Sequence, residues 1–367
     1  MTLPKKRGRN PVEQDKIAAF VRKKIISGRW PAGYKIPTHI ELGKKFGVTT
    51  VTIHRTLSSL TADGFLRVNT SGNKGTYVNE TPPHLFNYAL VFPSAPSEHG
   101  WNLFYKILLD VSRMIQDELE IRITPYFRID GNTTRPDYLR LTGDIRKERL
   151  AGMIFASPVF MIEKTPLVLE GRIPRIIIGD KNAKLGIPGI SMNSQSFIER
   201  SLDYLEFRKC RRVAFISTRG QKGYFTEQLA LSFAKRKFIS PPQWWHLCHL
   251  EWTEAAVNIV RLLLSPETDT ERPDAILVGD DNLIGSVCKG VEAADIKVPK
   301  ELEIVSHCNF PLSTKPCLPV KFIGYDTHAI MSRCIEILKL QKSSSGAPRT
   351  SMIDVCTDDE FSKLRTL

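Results

Sequence analysis

The chain has 367 residues, of which 42% are apolar and 25% charged, a balance ordinary for a globular protein and long enough for two or three cores. No apolar run approaches the roughly 20 residues of a membrane span, and the basic N-terminus lacks a signal peptide's apolar stretch, so a cytoplasmic location is expected. The net charge of +13 is concentrated in residues 1–80, where fifteen Lys and Arg face five acids, a local +10 that calls for a polyanionic partner. The seven cysteines are scattered without a C-x-x-C pair, which argues against a disulfide framework. His246, Cys248 and His249 lack a second pair of ligands, so neither metal nor cofactor is expected.

In chain order, residues 1–10 form a basic tail. Ile17, Phe20, Val21 and Ile25 mark a first helix that stops at Gly28. Thr38 can cap a second helix carrying Leu42 and Phe46, and Gly47 ends it. Thr49 then starts a third helix, in which Ile53, Leu57 and Leu60 must face a core while Thr50, Val51, His54, Arg55 and Ser58 turn outward. After Asp63 and Gly64, residues 65–68 and 76–78 alternate like strands around a polar turn containing two glycines, which makes a wing. This is a helix-turn-helix. Thr38, His39, Thr49, Thr50, Val51, His54, Arg55, Arg67, Asn73 and Lys74 are its candidate DNA contacts.

The spacing of Gly28, Gly33, Ile36-Pro37-Thr38, Glu41-Leu42, Phe46-Gly47-Val48-Thr49, Thr52-Ile53, Leu57, Leu60, Gly64-Phe65-Leu66 and Gly75-Thr76-Tyr77-Val78 resembles the winged-helix domain of the gluconate-repressor (GntR) family. The resemblance implies binding to a double-stranded operator. Thr50 and His54 stand where that family usually has arginines. Arg to guanine is the commonest base contact, so either the operator differs or Arg55 and Lys74 carry more of the binding.

Adjacent prolines at 82 and 83 break any continuing strand and suggest a linker over 80–87, between a DNA-binding domain at 1–79 and a sensor at 88–367. From Tyr88 onward short apolar strands alternate with helices: 88–92, 121–127, 152–155, 175–179, 212–216, 244–250, 275–278 and 303–305 read as strands. Such alternation means parallel sheets covered on both faces, and its length suggests two lobes. Asn102-Leu103-Phe104-Tyr105, Lys209-Cys210-Arg211-Arg212-Val213, the run from Arg272 through Gly279-Asp280-Asp281-Asn282, and Val298-Pro299 before Glu303 resemble the sensor of the lactose/galactose-repressor (LacI/GalR) family. The expected fold is thus α/β with a small α+β N-terminal domain: a winged helix-turn-helix followed by a two-lobed parallel periplasmic-binding-protein-like (type I) sensor. Lobe one is expected at 88–190 plus 326–342, and lobe two at 193–325 plus the tail.

By position in this resemblance, the effector would meet Ser94, Trp101, Phe104, Ser157 and Asp180 on lobe one. On lobe two it would meet Asn193, Glu227, Trp252, Asp280 and Asn309, with Trp252 and Asp280 the leading pair. Aromatic faces suit a sugar ring or similar solute, while carboxylates and amides fix hydroxyls. Two departures bear on the ligand: Ser306-His307-Cys308-Asn309 replaces the family's Gly-Phe-Asp-Asp, and Glu227-Gln228 stands near an expected arginine. A sugar bound differently, a cationic solute, or no ligand at all remain open. The functional expectation is a homodimeric transcription regulator controlled by a small polar effector, not an enzyme. The alternative is a ligand-independent regulator whose sensor is only a dimerisation scaffold.

Overall fold

The computed structural model describes residues 11–179, 185–221, 223–265, 272–312, 315–343 and 350–364; the basic tail and Asp180 lie outside the described residues. The N-terminal unit, or head, packs α1 (Pro11–Ile26), α2 (His39–Phe46) and α3 (Thr50–Ala62) against the antiparallel hairpin β1 (Leu66–Asn69) and β2 (Gly75–Val78). Thr38 and Glu41 close a capping box on α2, Gly47 ends the helix in the left-handed region at φ 65°, and Thr49 caps α3 through the Thr52 amide. As the spacing predicts, Ile53, Leu57 and Leu60 meet Ile17, Val21, Trp30 and Phe65 in one core. The segment before α2 joins the hairpin as well: the Ile36 amide donates to Thr76 O and the Val78 amide to Tyr34 O, at 3.0 and 2.9 Å.

Within the expected linker the chain forms a short helix, α4 (Pro83–Phe86). Proline suits its first position, where no amide donor is needed. His84 in this turn is 9% exposed and stacks on Phe65 of the head with ring centres 5.9 Å apart. Lys342, from the far end of the chain, donates to the His84 carbonyl. The head is therefore docked on the sensor through packed and hydrogen-bonded contacts.

Among the described residues twelve further strands follow: β3 (Asn87–Val91), β4 (Arg122–Tyr126), β5 (Gly152–Phe155), β6 (Arg175–Ile178), β7 (Gly189–Met192), β8 (Val213–Thr218), β9 (Trp245–Cys248), β10 (Ala275–Val278), β11 (Glu303–Phe310), β12 (Lys321–Asp326), β13 (Thr350–Ile353) and β14 (Cys356–Thr357). The helices are α5 (Leu103–Glu118), α6 (Pro136–Arg146), α7 (Pro166–Leu169), α8 (Ser194–Phe207), α9 (Tyr224–Lys235), α10 (Ala255–Leu263), α11 (Ile284–Ala293), α12 (Thr327–Lys342) and α13 (Asp358–Leu364). Lobe one is a six-stranded sheet of order β13-β7-β6-β5-β3-β4, and lobe two one of order β14-β12-β11-β10-β8-β9. Every pairing is parallel except β12 with β14. All four residues of β5 and of β10 are buried, as strands covered on both faces require.

The chain passes between the lobes after β7, after β12 and between β13 and β14. The tail therefore does not belong to lobe two alone. β13 pairs with β7 in lobe one, where it covers an edge that would otherwise be open, and only the chain from Cys356 onward returns to lobe two. Strands β7 and β12 escape the sequence reading because glycine interrupts their apolar pattern. At Gly324 in β12 the gap is obligatory, since a Cβ would sit 1.8 Å from the Cys308 carbonyl oxygen.

Burial, and secondarily the Lys342 charge, lowers the His84 pKa from 6.5 to about 4. The folded state thus resists protonation that the unfolded chain accepts. The His84 contribution to stability is full above pH 6.5 and is lost as the pH falls toward about 4. His84→Phe, which can keep the ring stack, should flatten this acid limb; urea midpoints followed between those pH values, variant against wild type, measure the difference.

Candidate functional site

The surface of the head is the first candidate. Thr49, Thr50, Val51, His54 and Arg55 are exposed along the start of α3. The 100° turn per residue leaves them outside once Ile53 and Leu57 are buried. His39 at the start of α2 meets the His54 ring edge to face at 5.7 Å, so the two helix beginnings share one surface. Thr38 and Thr49 have their hydroxyls committed to helix capping, and what they bring to this surface is the N-terminal end of a helix, where amides favour anions. Glu41 has its carboxyl held below the usual range by the Thr38 amide and hydroxyl.

The wing residues divide into two kinds. Asn73 accepts from Lys35 Nζ at 2.8 Å, and its carbonyl accepts from the Tyr77 hydroxyl at 2.6 Å, so it holds the turn in shape. Arg67 lies over the Tyr77 ring and pairs with Glu80 at 2.9 Å. Lys74 is exposed at the tip without an ion pair among the described residues. Sequence reasoning passed over Lys35, whose alternation with Ile36 next to the wing would have marked it.

The other end of α3 is tied to the sensor. Its cap residue Asp63, with a side chain only 7% exposed, accepts from Arg149 at 2.8 Å and from Lys147 at 3.2 Å, both beyond the end of α6. Arg149 also bonds Asp144, which accepts from the Tyr126 hydroxyl. Removing one partner of a buried charge pair leaves the other uncompensated, which costs more than the pair contributes.

The second candidate is a cleft of about 400 Å³ between the lobes. Its walls come from residues that follow central strands: Asn102 and Phe104 after β3, Gly179 after β6, and Met192 at the end of β7. From lobe two come Gly220 after β8, Gly279 to Asn282 after β10, His307 and Asn309 on β11, and Tyr325 on β12, with Phe197, Tyr224 and Phe225 from the helices. That placement follows the rule that open α/β sheets bind ligands beyond strand carboxyl ends.

Asp280 accepts from the Thr218 hydroxyl at 2.7 Å and from the Asn282 amide and side chain at 3.0 and 2.7 Å. Asn282 Oδ1 in turn accepts from the Leu103 amide across the cleft at 3.0 Å. Asp281 is buried and takes both the amide and the side-chain nitrogen of Asn309, at 3.1 and 3.0 Å; burial pushes its carboxyl above the usual range. His307 lies between Phe197 and Tyr325, and its Nδ1 is buried without a partner among the described residues. Two carboxylates, an imidazole and aromatic faces can hold a hydroxylated or cationic solute.

Of the expected effector residues, Phe104, Asp280 and Asn309 meet here. Trp252 is a correction: it is 72% exposed, its ring meets His249, and it does not line the cleft, because it follows β9, the edge strand. Glu227 is another, lying two residues and about 200° of helix beyond Phe225, in a groove on the outer face of lobe two. Asn193 does not reach the cleft; it caps α8 and bonds Asp354 at 2.6 Å at a crossover. Trp101, Ser157 and Ser94 lie behind the cleft wall. Trp101 packs on Phe92, Tyr105 and Phe127, Ser157 bonds the Tyr105 hydroxyl, and Ser94 Oγ is buried. Asp180 is outside the described residues. His307 could have been found from Asn309, since strand alternation puts both on one face.

A winged head carrying a helix-turn-helix, joined to a two-lobed parallel α/β fold with an interlobe cleft, defines the class. Residues 13–78 match the bacterial regulatory proteins of the gntR family, and residues 202–357 match the periplasmic binding protein-like domain. The chain thus carries a gntR-family helix-turn-helix domain at its N-terminus, followed by a periplasmic binding protein-like domain. Over 65 residues, 18% of the chain, it is 38% identical to the uncharacterised HTH-type transcriptional regulator YdfD of Bacillus subtilis and 37% identical to the histidine utilization repressor of Pseudomonas putida. Those matches span only 13% and 25% of the two relatives. The fold resembles a LacI family regulator from Arthrobacter sp. FB24 in complex with lactose, at TM-score 0.59 and 14% identity, covering 74% of this chain and 97% of that one. It also resembles a LacI family regulatory protein from Chloroflexus aggregans, at TM-score 0.60 and 14% identity, covering 74% and 96%. Among the described residues no helix is long and apolar enough to cross a membrane.

Asp63→Ala should remove the acceptor that Lys147 and Arg149 share across the junction, leaving Arg149 to Asp144, and loosen the head from lobe one. Amide exchange of residues 79–87 should rise, while the head's core amides in α1 and α3 keep their protection; unchanged exchange in the linker would mean the contact is incidental.

Proposed function

We propose that the protein is a one-component transcription regulator, acting as a repressor in the cytoplasm and binding a double-stranded operator as a homodimer. The division is a DNA-binding domain at 1–79, a linker at 80–87 and an effector-binding and dimerisation domain at 88–367. The observation that carries this reading is the face of α3, exposed at its start and clamped to the sensor at its end through Asp63. Each head would place α3 in a major groove with its wing along the backbone. Thr50, Val51, His54 and Arg55 would meet base edges, Lys74 a phosphate. The repressor reading is supported by the Pseudomonas putida relative of the head, which is named a repressor.

The effector is a small polar solute in the interlobe cleft, a sugar being the leading class. Phe104, Phe197 and Tyr325 offer ring faces, and Asp280, His307 and Asn309 offer polar groups for hydroxyls. The Arthrobacter regulator in complex with lactose supports that class. A ligand favouring the closed lobes shifts the lobe angle only by its differential affinity for the two states, and the Asp63 contact passes that shift to the head.

DNA binding is expected to be steeply salt dependent. If a dimer neutralises about 6–10 phosphates, affinity drops roughly 10³- to 10⁵-fold between about 50 and 200 mM salt. Arg55→Ala and His54→Ala should change the motif selected from random operators, whereas Lys74→Ala should weaken all sequences alike. A flat salt response in a mobility-shift titration would end the reading.

For the cleft, a thermal-shift screen of sugars should return a ligand. Asp280→Asn and Phe104→Ala should each weaken it, the former by about one to two decades for a lost charged hydrogen bond, with ligand-free operator binding kept. No stabilising solute, together with intact operator binding, would favour the sensor as a dimerisation scaffold.

A further inference from the structure

A cavity of about 540 Å³ lies where the head, the linker and lobe one meet, bounded by Ile26 at the end of α1, His84 of α4, the chain entering β6, and the end of α12. Three cations line it, and of these Arg172 is paired with Glu170. Arg175 donates to the Val168 carbonyl and Lys342 to the His84 carbonyl, and among the described residues neither has a carboxylate within ion-pair distance. The neighbouring acids are already used: both oxygens of Glu170 accept from Arg172, at 2.9 Å each, and Glu148 faces Arg22 at 4.0 Å. The backbone of Arg175 is fixed by Gln341, which accepts its amide at 3.2 Å and donates to its carbonyl at 2.9 Å. His84 lines the same space, is nine-tenths buried, and has a ring nitrogen without a partner among the described residues.

We propose that this cavity is a second ligand site, distinct from the interlobe cleft, for a small oxyanion bearing a phosphate or a carboxylate. The chemistry is that of two partly buried positive charges held against neutral carbonyls, which satisfy their hydrogen bonds but not their charge. Burial alone already lowers both, Lys342 to about 8 and Arg175 below its usual range. An oxyanion would remove that penalty and accept from both at once. Because α12 starts at the second crossover between the lobes and ends in this cavity, a bound anion would join the lobe crossing to the linker beneath the head.

The test is calorimetric titration of the full chain, without DNA or sugar, with inorganic phosphate and separately with acetate, at constant ionic strength set by sodium chloride. Lys342→Gln and Arg175→Gln should each weaken binding about 10- to 100-fold, and Asp280→Asn, in the cleft, should leave it unchanged. Saturable binding of phosphate alone assigns a phosphate-bearing ligand, and equal binding of acetate assigns a carboxylate. Binding of neither anion, or equal affinity in wild type and in both junction variants, overturns the proposal. Neither outcome depends on the operator or on the cleft, so failure here would leave the regulator reading standing.

Discussion

Among the contacts that hold the head on the sensor, which include the His84 stack on Phe65 and the Arg22–Glu148 pair, one turns on an almost fully enclosed carboxylate. Asp63 ends α3, and its side chain is nearly closed off from water between Arg149 and Lys147. A charge so placed is costly unless its partners stay, so the orientation of α3 follows that of lobe one wherever the pair is kept. The second row of contacts, Arg149 to Asp144 and Asp144 to Tyr126, fixes Arg149 from behind. The same helix therefore has one end free for an outside partner and the other held by its own chain.

The cleft depends on a constraint of a different kind. Parallel strands must all enter from one side, so the carboxyl ends of each lobe's strands converge on one edge. Three crossings of the chain bring those two edges face to face. Position within the sheet then decides function. Residues after the central strands β8, β10 and β3 reach the crevice, while those after the edge strand β9 do not. Asp280 and Trp252 both follow strands, yet only the first lies in the cleft.

This difference also marks the limit of what could be read from residues alone. The head was legible almost in full, because caps, glycines and a 3.6-residue rhythm are local signals that agree with one another. Strand and helix alternation told that lobes were present. It could not tell the order of strands in a sheet, which arises from pairing between distant segments. Trp252 was misplaced for that reason and β13 was assigned to the wrong lobe, whereas Glu227 was misplaced because packing decides which face of α9 turns to the cleft. Asn193 illustrates a second limit, since a cap and a ligand contact call for the same side chain, and only the neighbouring Asp354 decides between them. Lys342 and Arg175 gave no signal at all, as their meeting at the junction depends on tertiary structure.

The contact between Asn282 and the Leu103 amide spans the lobes with a single neutral hydrogen bond. Neutral bonds of this sort exchange readily with water, so this contact by itself costs little to break, unlike the buried apolar cluster that the two lobes share behind it. A solute bound between Asn282 and Leu103 would have to displace that bond or leave it in place, so the bond marks how far the two rims can part before the cleft changes shape.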